Sequence, residues 1–231
     1  MSSPRPIRIV IAGGGTGGHV LPALSVIEEL ERREVPFELL WIGSKNGVEA
    51  NEARARGIPF RAVETGKFRR YPDFKTVTDA VKVPLGVPHA WWILRSFRPD
   101  VIFSTGGYVS TPSVIGGTRM APVLSHEQTA ILGLATRLNA RFVDVQALTF
   151  DSSLQYTKDT SKTVVTGNPV RKPVLIAAKE EYPALDGAGP VRLLIFGGGV
   201  LQKHGALVEG ADDAWIVPNT RCPVSAAWNA V

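Results

Sequence analysis

The stretch IRIVIAGGGTGGHVLPALSVIEEL, residues 7–30, decides the fold. Ile7–Ala12 is a short apolar run that reads as a buried first strand. Val20, Ala23, Leu24, Ile27 and Leu30 recur at helical spacing, which predicts an amphipathic helix over residues 19–32. Between them stand five glycines and one threonine, Gly13 to Gly18. Glycine lets the backbone turn sharply and approach a ligand, and the free N–H groups of a helix start favour an anion.

Outward from this stretch the same alternation continues. Phe37–Ile42 is expected as a second strand closed by Gly43, and Glu49–Arg56 as a polar helix stopped by Gly57. Val101–Ser104, Val123–Ser125, Ala147–Phe150 and Thr163–Thr166 are expected as further strands, each ended by glycine or polar residues. Short apolar runs alternating with helical periodicity predict an α/β fold, a Rossmann-like parallel sheet flanked by helices. From Val170 to Pro190 the composition changes: Pro173, Pro183, Pro190, Gly187, Gly189 and the step Lys179-Glu180-Glu181 suggest an interdomain connection. Val191–Phe196 followed by Gly197-Gly198-Gly199 then repeats the strand–glycine opening. The expected organisation is a Rossmann-like domain over 1–170, a linker over 171–190 and the truncated start of a second such domain over 191–231.

Composition narrows the function classes. In 231 residues, 44% are apolar and 20% charged, an ordinary globular mix able to bury a core. A net charge of +5 permits an anionic partner such as a phosphate-bearing substrate or acidic lipid, and nucleic acid is not expected. The one cysteine, Cys222, excludes an internal disulfide and suits a reducing compartment. The first apolar run is too short for a signal-peptide core, and no later run reaches the ~20 apolar residues of a membrane span. The expectation is a cytoplasmic protein whose membrane contact is peripheral.

Gly13, Gly15 and Gly18 formally satisfy G-x-G-x-x-G. A dinucleotide site would also want an acid at the end of the second strand, where this chain reads Trp41-Ile42-Gly43-Ser44. Phosphate binding of another kind fits better. His19, at the helix start beside the loop, is placed either to act as a general base or simply to cap and pack. Three further polar clusters follow strands: Ser104 to Ser110, His126-Glu127-Gln128, and Gly167-Asn168-Pro169-Val170-Arg171. Open parallel sheets gather ligands at the carboxyl ends of strands.

In their order and spacing these residues resemble the MurG family. The resemblance is carried by Gly14-Gly15-Thr16-Gly17-Gly18-His19 with Pro22-Ala23-Leu24, by Gly106-Gly107-Tyr108-Val109-Ser110, by His126-Glu127-Gln128, and by Gly167 to Arg171. It implies a GT-B glycosyltransferase, with two Rossmann-like domains and the active site between them. The implied reaction moves N-acetylglucosamine from UDP-GlcNAc, with inversion, onto undecaprenyl-diphosphate-linked muramoyl pentapeptide in peptidoglycan synthesis. His19 would be the base for the attacking hydroxyl. Thr16, Gly17 and Gly18 would lie near the donor and the acceptor diphosphate. Glu127 and Gln128 would line the cleft, Arg171 would meet the donor, and Thr129 and Gly199 are further expected substrate-binding residues. No cofactor is implied, and no metal, since the chain has no Asp-x-Asp triplet.

The chain also departs from the family. Thr129 stands where the family commonly has asparagine, and a hydroxyl cannot replace both amide hydrogen bonds. After Gly197-Gly198 the family reads Ser-Gln-Gly-Ala, whereas this chain reads Gly199-Val200-Leu201-Gln202 and continues without the segments that grip uridine. Three readings follow: an active transferase, a non-catalytic acceptor-binding subunit that works with a separate donor-binding chain, or a truncated or frame-shifted product without turnover; the isolated chain is expected to bind UDP-GlcNAc only weakly. Residues 61–98 hold eight basic residues against three acids, an excess equal to the charge of the whole chain. Lys67, Phe68, Arg69, Arg70, Trp91 and Trp92 from this stretch suit an anionic lipid surface at the cytoplasmic face of the plasma membrane. The alternative is a solvated basic face with Trp91 and Trp92 in the core.

Overall fold

The computed structural model describes residues 5–65 and 74–177, over 74–84 and at 177 the backbone alone. The chain divides into two compact units, Met1–Leu175 and Ile176–Val231. The expected linker beyond Ala177, the second domain's opening and Gly199 lie outside the described residues.

The first unit is a seven-stranded parallel sheet with order β3-β2-β1-β4-β5-β6-β7. β1 (Ile7–Gly13) leads into α1 (Gly17–Arg32), β2 (Phe37–Gly43), α2 (Val48–Ala55) and β3 (Phe60–Ala62). α3 (Phe74–Phe97) carries the chain to the other side of β1, where β4 (Val101–Gly106) begins. There follow α4 (Thr111–Gly117), β5 (Val123–Glu127), α5 (Leu134–Asn139), β6 (Val145–Leu148), β7 (Thr163–Val165) and α6 (Lys172–Ala177). The Rossmann-like α/β expectation is met.

Alternation along β1 explains why its run is apolar throughout. Val10 and Ala12 face a core shared with Leu40, Ile42, Ile102 and the helix residues Ala90, Leu94 and Val114. Ile9 and Ile11 face the opposite core with Trp41, Phe103 and the α1 stripe Val20, Ala23, Leu24 and Ile27. Successive strand side chains point to opposite faces, so a strand covered by helices on both sides needs apolar residues at every position.

Several elements differ from expectation. The sixth strand is Val145–Leu148 rather than Ala147–Phe150, because Phe150 already leads into a 3₁₀ turn over Asp151–Tyr156. β3, α4 and α5 are short elements without a clear period of their own. α3 was unreadable because Pro84, Gly86 and Pro88 fall inside it, residues that ordinarily break helices. Packing against α4 overrides that propensity, and at Gly86 a Cβ would stand 2.2 Å from the Glu64 carbonyl oxygen.

Candidate active site

The strand order reverses between β1 and β4, and Gly13 pairs in register with Gly106 there. Ligands of open α/β sheets bind at such a switch point, outside the carboxyl ends of the strands. The glycine loop after β1, the Gly106-Gly107 turn after β4 and the end of β5 therefore converge, although 86 and 109 residues separate His19 from its partners there.

His19 lies in the first turn of α1. Its Nδ1–H donates to the Thr105 carbonyl at 2.8 Å and to Gln128 Oε1 at 3.1 Å. The ring packs on the β4 turn: a Cβ at Gly107 would stand 3.0 Å from His19 Cδ2, and one at Gly106 3.4 Å from Nδ1. Gly106 and Gly107 have φ of +84° and +75°, values that L side chains rarely adopt. With Nδ1 as donor, the neutral ring keeps its lone pair on Nε2, the tautomer a general base requires.

Gln128 enforces that choice. Its Nε2 donates to the Thr105 carbonyl at 2.9 Å and to His126 Nδ1 at 3.2 Å, which leaves Oε1 as acceptor for His19. His126 Nε2–H in turn donates to the Gly167 carbonyl at 3.0 Å. Burial pushes His126 below its usual pKa, against the opposing pull of Gly167 and Glu127. A chain of four residues thus links the 167 turn to His19, with every proton assigned by its neighbours. The sequence placed His126 in a motif but gave it no role.

Thr16, Gly17 and Gly18 are exposed at the start of α1. The N–H groups of Gly17 and Gly18 are first-turn donors that have no acceptor within the helix. Together with the helix dipole they offer an anion a place beside His19.

Two expected site residues sit differently. Glu127 is 3% exposed, and its carboxylate is turned inward. Oε1 accepts from the Thr129 N–H at 3.1 Å and hydroxyl at 2.7 Å, and Oε2 from the Gly133 N–H at 3.1 Å and the Thr136 hydroxyl. Glu127 and Thr129 thus shape the segment entering α5 and hold each other. Arg171 is paired with Glu28 on α1, with Nε and NH2 at 2.9 and 2.8 Å from Oε1, and Arg56 shares that oxygen at 3.0 Å. Burial opposes the Glu28 charge, yet the two arginines outweigh it and hold the carboxyl below its usual range. Glu28 stands roughly two and a half turns beyond His19 on α1, so the structure rests Arg171 away from His19.

The sequence read Glu49 only as part of a polar helix, but the residue is fully buried, with its carboxylate on the Gly15 N–H at 2.8 Å. The signal was the run of small residues around it, Gly43, Ser44 and Gly47, spaced to leave room for a side chain.

Of the basic stretch, Lys67, Phe68, Arg69 and Arg70 lie outside the described residues. Trp91 is 37% and Trp92 67% exposed, so neither is a core residue. They meet edge to face at 5.3 Å, with the Arg95 guanidinium 5.4 Å from the Trp91 ring centre. Among the described residues no helix is long and apolar enough to cross a membrane, and no three acidic, histidine or cysteine side chains cluster as metal ligands.

Residues 9–148 match the glycosyltransferase family 28 N-terminal domain. The chain is 43% identical over 174 residues to the UDP-N-acetylglucosamine–N-acetylmuramyl-(pentapeptide) pyrophosphoryl-undecaprenol N-acetylglucosamine transferase of Clostridium perfringens, covering 75% of this chain and 48% of that enzyme. It is 37% identical over 194 residues to the transferase of the same name from Clostridium tetani, covering 82% and 53%. The crystal structure of Acinetobacter baumannii MurG superposes with a TM-score of 0.58 at 25% identity, over 72% of this chain and 46% of that one. The chain thus spans about half the length of the relatives it matches.

Proposed function

As the chain belongs to the glycosyltransferase family 28 N-terminal domain family, we propose that it is the acceptor-side half of an N-acetylglucosaminyltransferase acting on undecaprenyl-diphosphate-linked muramoyl pentapeptide. The observation that carries this reading is His19. Its tautomer is fixed by Thr105 and Gln128, its Nε2 is left as acceptor, and the free Gly17 and Gly18 N–H groups stand beside it.

In the proposed reaction the acceptor hydroxyl oxygen attacks the anomeric carbon of N-acetylglucosamine as the bond to the UDP oxygen breaks, with inversion. The hydroxyl proton passes to His19 Nε2, and UDP departs with its charge. The imidazolium that forms is stabilised by the Thr105 carbonyl and Gln128 Oε1 already facing Nδ1–H. Gly17 and Gly18 hold the acceptor diphosphate. Glu127 and Gln128 contribute by ordering the wall of the cleft.

UDP-GlcNAc would come from the donor side. The family's uridine-gripping segments have no counterpart in residues 199–231, so this chain alone should bind UDP-GlcNAc no tighter than high micromolar, roughly −5 to −6 kcal/mol. A donor-binding half, in the same protein or in a separate chain, would complete the site. The exposed Trp91 and Trp92 with Arg95 support a peripheral contact with anionic lipid, where the acceptor resides.

The test supplies the donor half of a relative in trans and measures transfer to the lipid acceptor. His19→Ala should lower turnover by ~10²–10⁴-fold; a loss below about threefold would remove His19 from the chemistry. Absence of acceptor binding by the chain itself would refute the acceptor-side assignment.

A further inference from the structure

Glu49 is a buried ionisable group to which the mechanism above gives no role. It is 0% exposed and forms no ion pair among the described residues. Its Oε2 accepts the Gly15 N–H at 2.8 Å, while Oε1 accepts the Ser44 N–H and hydroxyl, both at 2.8 Å. Three glycines wall it in. A Cβ would stand 2.1 Å from the carboxyl carbon at Gly14, 2.1 Å from Oε2 at Gly47 and 2.5 Å from Cγ at Gly43. Burying a carboxylate without a cation is costly, and an apolar side chain of similar volume would ordinarily be as stable or more so. The arrangement therefore gains something other than stability. What it gains is a link between the end of β2 and the loop after β1, at Gly15, where φ is +85° and no helix has yet begun to hold the chain.

We propose that Glu49 is a positioning residue for the acceptor site: it fixes the glycine loop so that Gly17 and Gly18 present their N–H groups to a diphosphate and His19 stays against Thr105. This deepens the acceptor-side reading and rests on it for the identity of the anion. Glu49 touches no substrate and acts through Gly15 alone.

Glu49→Met is the direct test, because it keeps the buried volume and removes both acceptor oxygens, whereas a glutamine could keep its one oxygen on the Gly15 N–H. The full chain, labelled with ¹⁵N, is titrated with inorganic pyrophosphate. In Glu49→Met the amide signals of Gly15 to His19 should move, Gly15 hydrogen exchange should quicken at least tenfold, and pyrophosphate affinity should fall at least fivefold. Ser44→Ala removes a donor from the same carboxylate but leaves the loop bond, so it should lower the melting temperature yet keep pyrophosphate affinity within twofold. A folded Glu49→Met chain with wild-type affinity and unchanged Gly15 exchange would overturn the proposal. So would Ser44→Ala losing affinity in step with its stability, which would make the effect structural only. Should Glu49→Met not fold, the wild-type chain decides: a Gly15 amide exchanging as fast as those of Gly17 and Gly18 overturns the link. Failure of the wild type to bind pyrophosphate would strike the acceptor-site reading, while Gly15 exchange in the variant would still judge Glu49.

Discussion

Replacing Glu127 by glutamine should destabilise the protein rather than merely weaken a ligand. The carboxylate receives four bonds, two on each oxygen, from Thr129 and from Gly133 with Thr136. Glutamine has one acceptor oxygen, and its NH2 must face either the Thr129 N–H or the Gly133 N–H. The hydroxyl on that side can rotate to accept, but the backbone N–H cannot. One buried donor left unsatisfied costs ~1–3 kcal/mol, and the two surviving bonds fall from charge-assisted to neutral strength, ~1 kcal/mol together. The expected loss is about 2–4 kcal/mol, or ~4–16 °C in melting temperature at ~2–4 °C per kcal/mol for a domain of this size. Urea unfolding followed by tryptophan fluorescence reads it as a lower midpoint at unchanged slope. Thr136→Val should couple to it, so that the double variant loses less than the sum of the singles. A melting temperature within about 1 °C of wild type would show that the carboxylate is free in solution and faces the cleft, contrary to the geometry.

Three further outcomes follow from particular contacts. Burial holds His126 below its usual pKa, so between that depressed value and about 6.5 the unfolded chain binds more protons; stability should be full above pH ~6.5, fall as pH drops, and lose that slope in His126→Gln if urea midpoints are taken across pH 5–7.5. Gly107→Ala combines φ +75° with a Cβ 3.0 Å from both the Gly14 carbonyl oxygen and His19 Cδ2; it should cost at least ~1–2 kcal/mol and broaden or shift the His19 ring signals, and an unperturbed ring would contradict the packing. Trp92→Ala should leave the melting temperature within about 2 °C yet reduce binding to phosphatidylglycerol vesicles at low salt, and Lys67, Arg69 and Arg70 changed together to Ala should remove ~3 kcal/mol of that binding; equal affinity for neutral vesicles would end the membrane proposal.

The sequence by itself determined the sheet and the glycine loop that follows its first strand. A strand buried on both faces must be apolar at every position, and a helix lying on it must repeat every three to four residues; Ile7–Ala12 and the Val20–Leu30 stripe satisfy both locally. Glycines between them mark a close turn of the backbone, and the free N–H groups of the helix start beside them suit an anion. Those inferences need no knowledge of distant residues. Four things did need it. α3 forms through its packing on α4, against the prolines its own sequence contains. The tautomer of His19 depends on Thr105 and Gln128, which only the strand order brings to it. Glu127 and Glu49 both sit in polar local sequence that suggests exposure, yet each is buried because backbone N–H groups from other segments converge on its oxygens. Arg171 carries a motif's charge, but Glu28, 143 residues earlier, decides where its guanidinium rests. Periodicity is a property of neighbours along the chain, whereas the state of a proton or a carboxylate is set by neighbours in space.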